Sequence, residues 1–107
     1  MNTKKLGQLL KHVRTNQKLS LEALSTLSTV SIPFLSMLEN DKGGMPNLTT
    51  LSKICESLQI PLILLLNMSY LEELKAVDTI SAKRSESIFT NKYGEFNYDD
   101  KGLLQSQ

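Results

Sequence analysis

The stretch that decides the fold is residues 19–40, which read LSLEALSTLSTVSIPFLSMLEN. Ser20 is placed to cap a helix over residues 21–27, because a serine hydroxyl accepts a hydrogen bond from a free N–H of the first turn. Ser31 is placed to cap a second helix, in which Pro33 falls in the first turn, where its missing N–H costs little. The segment therefore predicts two short helices joined by a tight turn.

Apolar residues recur at helical spacing on both sides of this pair. Before it, residues 3–16 predict an amphipathic helix, with an apolar stripe formed by Leu6, Leu9, Leu10 and Val13. After it, the turn-rich residues 41–46 break the chain. A further helix is predicted to start after Asn47, with an inward face formed by Leu48, Leu51, Ile54, Cys55 and Leu58. The two short helices thus belong to a small helical bundle.

The run IPLILLL, residues 60–66, is apolar at every position. Periodicity does not separate a buried short helix from a strand that needs a partner, so both readings stay open. A domain of this size has difficulty hiding the whole run within one subunit. We therefore expect a homodimer whose seam is formed by Leu62, Ile63, Leu64, Leu65 and Leu66.

The C-terminal part is more polar. Ser69 is placed to cap a helix over residues 70–77, and residues 81–87 have the composition of a linker. Residues 88–107 hold four of the six aromatic residues, namely Phe89, Tyr93, Phe96 and Tyr98. We expect this tail to be flexible until it meets a partner, with a hairpin across Gly94 as the alternative. Its rings suit docking to a protein better than solvation.

The charge composition limits the classes of function that the sequence allows. The 107 residues carry 12 Lys+Arg against 11 Asp+Glu, a net charge of +1, which excludes a purely electrostatic nucleic-acid binder. The charge is unevenly divided, because residues 1–66 hold seven basic and four acidic side chains while residues 67–107 hold five and seven. A basic head precedes an acidic tail, so a DNA-binding face is compatible with the near-neutral total.

Several other classes of protein lack support in the sequence. Cys55 is the single cysteine and His12 the single histidine, so neither a disulfide framework nor a metal site is expected. Gly43-Gly44 lacks the Lys-Ser/Thr that completes a phosphate-binding loop. A signal peptide and an apolar run of membrane-spanning length are also missing. We expect a cytoplasmic protein that is not an enzyme and takes no cofactor, no metal and no small-molecule substrate.

Residues 6–66 resemble the lambda-repressor/Cro (XRE-type) helix-turn-helix family. The motifs that carry the resemblance are LSLEAL at residues 19–24, LSMLEN at residues 35–40, and the positions Val30, Ser31, Pro46, Leu48, Leu51, Ile54 and Leu58. The resemblance implies an all-α, five-helix helix-turn-helix bundle in which residues 1–66 bind double-stranded DNA. Residues 67–107 then supply a helix, a linker and an aromatic tail for oligomer or partner contacts.

The resemblance also implies which residues meet DNA. The helix over residues 31–40 lies in the major groove, and its outward positions are Ile32, Pro33, Phe34, Ser36 and Met37. Phosphate contacts fall to Lys18, Ser31, Asn40 and Lys42, while Arg14 and Glu39 form a structural ion pair. Only Ser36 among the outward positions has a hydrogen-bonding side chain, so these positions do not offer bidentate recognition of guanine or adenine, although apolar side chains can contact thymine methyl groups. Specificity is then expected to depend on DNA shape, backbone contacts and Ser36.

Two functions follow from these observations. The first is a sequence-specific, dimeric and autoregulatory repressor that reads an inverted repeat. The second is an antitoxin, since residues 48–66 also resemble HipB-type antitoxins, which repress their own operon and hold a kinase-type toxin. Repressors of the SinR type fit as well. In a protein-binding alternative, Phe34 and Met37 form a patch for a partner on a helix-turn-helix that binds only protein.

Overall fold

Seven helices make up the part of the chain that the computed structural model describes, residues 3–96, and that part contains no strand. They are α1 (Thr3–Asn16), α2 (Leu21–Ser28), α3 (Ile32–Glu39), α4 (Leu48–Leu58), α5 (Leu62–Ser69), α6 (Leu71–Val77) and α7 (Thr79–Tyr93). The predicted all-α class is confirmed. The predicted count of five helices is too low, because the C-terminal part contains more helix than its polar composition indicated.

Side-chain caps start the helices around the tight turn. The hydroxyl of Ser20 accepts the Ala23 N–H at 3.0 Å, and that of Ser31 accepts the Phe34 N–H at 3.3 Å. The carboxamide oxygen of Asn47 accepts the Thr50 N–H at 2.8 Å. Each cap satisfies a donor that has no partner within its own helix, which is why these short elements begin where they do.

Residues 62–66 of the apolar run form the start of α5, so the interpretation of the run as an intersubunit strand is wrong. Helix α5 packs against α1, α4 and α7, which together cover most of its surface. Leu64, Leu65 and Met68 are buried there. A helix satisfies its own backbone hydrogen bonds, whereas a lone strand would need a partner, so the enclosed site favours the helix.

The C-terminal predictions need the largest correction. Ser69 does not cap a helix, because it lies at the end of α5 and its hydroxyl donates to the Leu65 carbonyl oxygen at 2.9 Å. The predicted linker over residues 81–87 and the predicted flexible or hairpin segment over residues 88–93 are both helical. Asp78 caps this helix by accepting the Ser81 N–H at 3.1 Å, and Gly94 ends it.

Helix α7 buries one regularly spaced face, while Ile80 and Ile88 remain exposed. Its buried residues are Ala82, Ser85, Phe89 and Tyr93, spaced three or four apart. This spacing matches the helical period even though the intervening residues are polar. Tyr98, the last aromatic of the predicted tail, lies outside the described residues.

One hydrophobic core joins the parts on either side of residue 66. Helix α1 packs against α3 on one side and against α5 and α7 on the other, and α2 packs against α3 and α4. The boundary expected at residue 66 lies inside α5. At the α1–α3 contact, a Cβ atom on Gly7 would collide with the Leu38 carbonyl oxygen, so only glycine allows α3 to approach this closely.

No single helix within residues 3–96 is long and apolar enough to cross a membrane. Two helix pairs have a suitable length and composition when taken together, but α2–α3 is bent by 117° and α4–α5 by 109°.

Candidate nucleic-acid interface

The turn between α2 and α3 sets the geometry of the candidate interface. The two helices are bent by 117°, within the range of roughly 90–120° seen for helix-turn-helix pairs. Thr29 ends α2 in the left-handed conformation at φ 60°, and its N–H donates to the Ser25 carbonyl oxygen at 2.9 Å. The Ser25 hydroxyl in turn donates to the Val30 carbonyl oxygen at 2.6 Å. Ser25 therefore closes the turn with a side-chain hydrogen bond.

Arg14 and Glu39 are brought together as a buried bidentate ion pair. Arg14 Nε lies 2.7 Å from Glu39 Oε2, and Nη2 lies 2.9 Å from Oε1. Arg14 Nη1 also donates to the Leu19 carbonyl oxygen at 2.6 Å. The hydrogen bond with Glu39 raises the pKa of Arg14. The pair connects α1 to the end of α3 and to the start of the turn motif, so it holds α3 at a fixed angle.

The outward face of α3 carries large apolar side chains. Leu35 and Leu38 are buried, whereas Ile32 and Phe34 are each 39% exposed and Met37 is 45% exposed. Pro33 is also exposed, and Ser36 is half-buried. The five predicted base-reading positions therefore lie on the side of α3 that is turned away from the core.

The four predicted phosphate-contacting residues are all exposed. Ser31 is exposed at the start of α3, and Asn40 is exposed at its end, where its Nδ2 donates to the Ser36 carbonyl oxygen at 2.7 Å. Lys42 is exposed two residues further on. Lys18 is exposed ahead of α2, in the left-handed conformation at φ 60°. The positive charge of Lys42 thus lies just beyond the end of α3, and that of Lys18 precedes α2 along the chain.

A shallow groove beside α3 was missed by the sequence analysis. It has a volume of about 190 Å³ and runs between the end of α3, the connecting loop and the start of α4. Met45 is exposed on its loop side, and Phe34 and Met37 line its α3 side. The turn-rich loop and the cap at Asn47 were visible in the sequence, but the distance between them and α3 depends on tertiary packing.

The expected dimer seam is largely buried within the chain itself. Leu64 and Leu65 belong to the core, and Leu62 and Leu66 pack against it with partial burial. Ile63 remains 66% exposed. A single subunit covers most of this run, because α7 packs against α5.

The aromatic residues of the expected partner-binding tail that lie before residue 97 also pack in or against the hydrophobic core. Phe89 is 0% exposed and Tyr93 is 2% exposed, so neither ring is available to a partner. His12 stacks on Phe89 with ring centroids 5.8 Å apart, and its Nε2 lies 2.7 Å from the Tyr93 carbonyl oxygen. Phe96 meets the edge of His12 and packs against the core. The aromatic residues up to residue 96 that indicated a toxin-binding surface therefore pack against the core of this chain.

Comparisons with known proteins agree with this geometry. A family model described as "Helix-turn-helix" matches residues 10–65, just over half of the chain. The chain is 38% identical over 69 residues to the HTH-type transcriptional repressor RghR of Bacillus subtilis (strain 168), a match covering 64% of this chain and 51% of that repressor. The chain thus spans about half the length of this curated relative.

A solved structure shows the same fold. The clp gene regulator ClgR from Corynebacterium glutamicum superposes with a TM-score of 0.60 at 19% sequence identity, covering 89% of this chain and 97% of that one. The chain belongs to the helix-turn-helix family, in its XRE-type branch.

Proposed function

We propose that the chain acts as a homodimeric, autoregulatory repressor that binds an inverted repeat in double-stranded DNA. The observation that carries the proposal is the exposed face of α3, which projects beyond the 117° bend while its other face is anchored in the core. The major groove is about 12 Å wide and admits one such helix. Two copies related by a two-fold axis match half-sites about 34 Å apart.

The groups around α3 support contacts with the phosphate backbone. Lys18 and Lys42 place positive charge on either side of the motif. The capped N-termini of α2, α3 and α4 add N–H groups and the positive ends of three helix dipoles. Phosphate contacts orient a protein on DNA without reading its sequence, so these groups fix the approach of α3.

A second copy is the proposed occupant of an apolar patch formed by Ile63 of α5 and Ile88 of α7. Tyr93 at the end of α7 hydrogen-bonds Gln59 just before α5, and Asn67 in α5 hydrogen-bonds Ser85 in α7, so the two helices are antiparallel. Ile63 lies about one turn before Asn67 and Ile88 about one turn after Ser85, so in antiparallel helices both lie on the same side of the Asn67–Ser85 hydrogen bond. Their side chains are 66% and 54% exposed. An inverted repeat requires a two-fold dimer, which this patch would supply.

DNA binding is tested by titrating the full chain against a labelled duplex from upstream of its own gene at several salt concentrations. Lys18→Ala and Lys42→Ala should each weaken binding and reduce the salt slope by about 0.9 per lost contact. Lys83→Ala is the matched control, since Lys83 is exposed on α7, remote from the helix-turn-helix. Absent binding, or binding insensitive to salt, would contradict the proposal.

Dimerisation and autoregulation need separate measurements. In sedimentation at micromolar concentration, Ile63→Glu should shift the dimer to monomer. Val77→Glu should not, because Val77 is exposed at the far end of α6. A reporter fused to the gene's own promoter should be less active when the protein is present. A monomeric wild type would refute the dimer, and an unchanged reporter would refute autoregulation.

A further inference from the structure

The outward face of α3 lacks the side chains that normally read bases through hydrogen bonds. Arginine, lysine, asparagine and glutamine recognise guanine or adenine by bidentate contacts. The chain instead has Ile32, Pro33 and Met37 at outward positions, and the hydroxyl of Ser36 is the one hydrogen-bonding group among them. A regulator that reads sequence with this face must use a different chemical feature of the bases.

Exposure of these side chains indicates a ligand with an apolar surface. Ile32, Phe34 and Met37 remain between 39% and 45% exposed on one face of a well-capped helix. Clustered exposed apolar groups mark interaction surfaces. In the major groove, the apolar feature that a natural base pair presents is the C5-methyl group of thymine.

The spacing along α3 provides a place for such a methyl group. Pro33 and Met37 are four residues apart, so their side chains are neighbours on the helix surface. The methionine side chain is flexible and fills irregular gaps, and its Cε reaches toward Gly43 in the adjoining loop. Pro33 and Met37 thus form an apolar surface that extends from α3 toward the loop.

Polar groups at the ends of α3 are already engaged. The Ser31 hydroxyl accepts the Phe34 N–H, and the Asn40 Nδ2 donates to the Ser36 carbonyl oxygen at 2.7 Å. Both interactions stabilise the helix ends. The residues that flank the apolar surface therefore hold α3 in position, and base discrimination falls to the apolar side chains together with Ser36.

We propose that α3 selects thymine by burying its C5-methyl group against Pro33 and Met37, with Ile32 contacting a neighbouring step. This inference rests on the proposed DNA-binding function and names the chemical group that the interface recognises. The operator is accordingly expected to contain thymine at a fixed position in each half-site. Recognition depends on the methyl group rather than on the hydrogen-bonding edge of the base.

The test compares thymine with deoxyuridine, which lacks the C5-methyl group and keeps the same pairing edge. A duplex is selected by the full chain from a random library and resynthesised with deoxyuridine at every thymine, then at one thymine at a time. Each contacted methyl group should contribute about fourfold to affinity. A two-fold operator with one contact per half-site should lose about 16-fold when both are removed.

Two variants locate the contact. Met37→Ala should bind the thymine duplex more weakly and lose the thymine-to-deoxyuridine ratio at one position of each half-site. Val77→Ala, an exposed apolar position on α6, should keep the wild-type ratio. Far-UV circular dichroism establishes that both variants are folded, and neither position is buried.

The outcomes separate this inference from the proposed function. Position-specific loss that disappears in Met37→Ala supports methyl recognition. Equal affinity for the two duplexes overturns methyl recognition while leaving DNA binding intact. A loss that persists unchanged in Met37→Ala and in Ile32→Ala overturns it as well, because altered DNA shape would then be the cause. Failure to select any sequence refutes the sequence-specific function on which it rests.

Discussion

Helices α3 and α7 use apolar residues in opposite ways. Helix α3 is rich in large apolar side chains, yet it leaves Ile32, Phe34 and Met37 exposed. Helix α7 has a predominantly polar sequence, yet it buries Phe89 and Tyr93 almost completely. The two helices differ in burial because they have different numbers of neighbouring helices. Helix α3 packs against α1 and α2, whereas α7 packs against α1, α5 and α6.

This difference distinguishes the outward face of α3, which is the proposed DNA-binding surface, from α7, which supports the fold. An exposed apolar side chain contributes little to folding, so α3 keeps such residues free for a ligand. The two rings on α7, Phe89 and Tyr93, pack behind α1 and thereby hold α1 against α3. Substitutions in the two helices should consequently have different effects, with α7 governing stability and the outward face of α3 governing DNA recognition.

The largest effect is expected for Phe89→Ala. Removal of a fully buried ring should lower the free energy of unfolding by about 4 kcal/mol, because the lost contacts leave a cavity between α7 and α1. Ile80→Ala, on the same helix but 68% exposed, should change it by less than about 0.5 kcal/mol. Urea unfolding measures both. A cost below about 1 kcal/mol for Phe89→Ala would mean that α7 is not part of the core.

The second-largest loss of stability is expected when the Arg14–Glu39 ion pair, which connects α1 to α3, is broken. Glu39→Ala should lower the free energy of unfolding by about 3 kcal/mol, because it leaves the Arg14 guanidinium buried without its counter-charge. Glu72→Ala is the control, since Glu72 forms an exposed ion pair with Lys75 at 3.6 Å that should contribute less than about 1 kcal/mol.

A double variant distinguishes lost charge pairing from lost packing at this link. Arg14→Met combined with Glu39→Leu removes both charges and keeps apolar volume, so it should recover most of the stability that Glu39→Ala loses. Chemical unfolding of the wild type, Glu39→Ala and the double variant provides the comparison. If the double variant is no more stable than Glu39→Ala, packing rather than an unpaired charge explains the loss.

A stabilising change is expected at the turn before α3. Thr29 occupies the left-handed region at φ 60°, which a β-branched residue adopts at a cost. Thr29→Gly should therefore raise the free energy of unfolding by about 1 kcal/mol. Thr26→Gly, inside α2, should lower it because glycine weakens a helix interior. Thermal unfolding of both would decide whether the turn is strained.

The smallest effect is a pH dependence from Cys55. Burial raises the pKa of its thiol to about 12, so the folded state keeps the proton while the unfolded state loses it near pH 8.5. The associated stability is complete below pH 8.5 and is lost as the pH rises toward 12. At pH 9 the loss should be on the order of 0.8 kcal/mol. Cys55→Ala should lack this contribution to the pH slope; an identical slope would contradict it.

Much of the N-terminal fold was predictable because local signals agreed there. Ser20, Ser31 and Asn47 precede regular apolar spacing, and each caps the helix expected of it. The turn between α2 and α3 followed from the same signals. In the candidate interface, the apolar outward face of α3 was predictable from the positions of Leu35 and Leu38, because two buried residues determine which side of a helix faces solvent.

The C-terminal half was misread because its signals are weak one by one. Ala82 and Ser85 are small, so the buried stripe that they form with Phe89 and Tyr93 did not stand out as an apolar period. The wrong assignment had a consequence at α5. Without α7 as a helix, nothing in the predicted subunit covers the run over residues 60–66, and the strand and seam predictions follow from that.

The sequence by itself determined the helix-turn-helix and its family, because capping residues, turn residues and apolar spacing act over a few positions along the chain. It also determined that α3 presents apolar chemistry rather than amides or guanidinium groups. Tertiary structure alone decided that Phe89 and Tyr93 are core residues, that His12 contacts α7 from α1, and that Gly7 lets α1 approach α3 closely. These contacts join residues far apart in sequence, and burial depends on which surfaces meet.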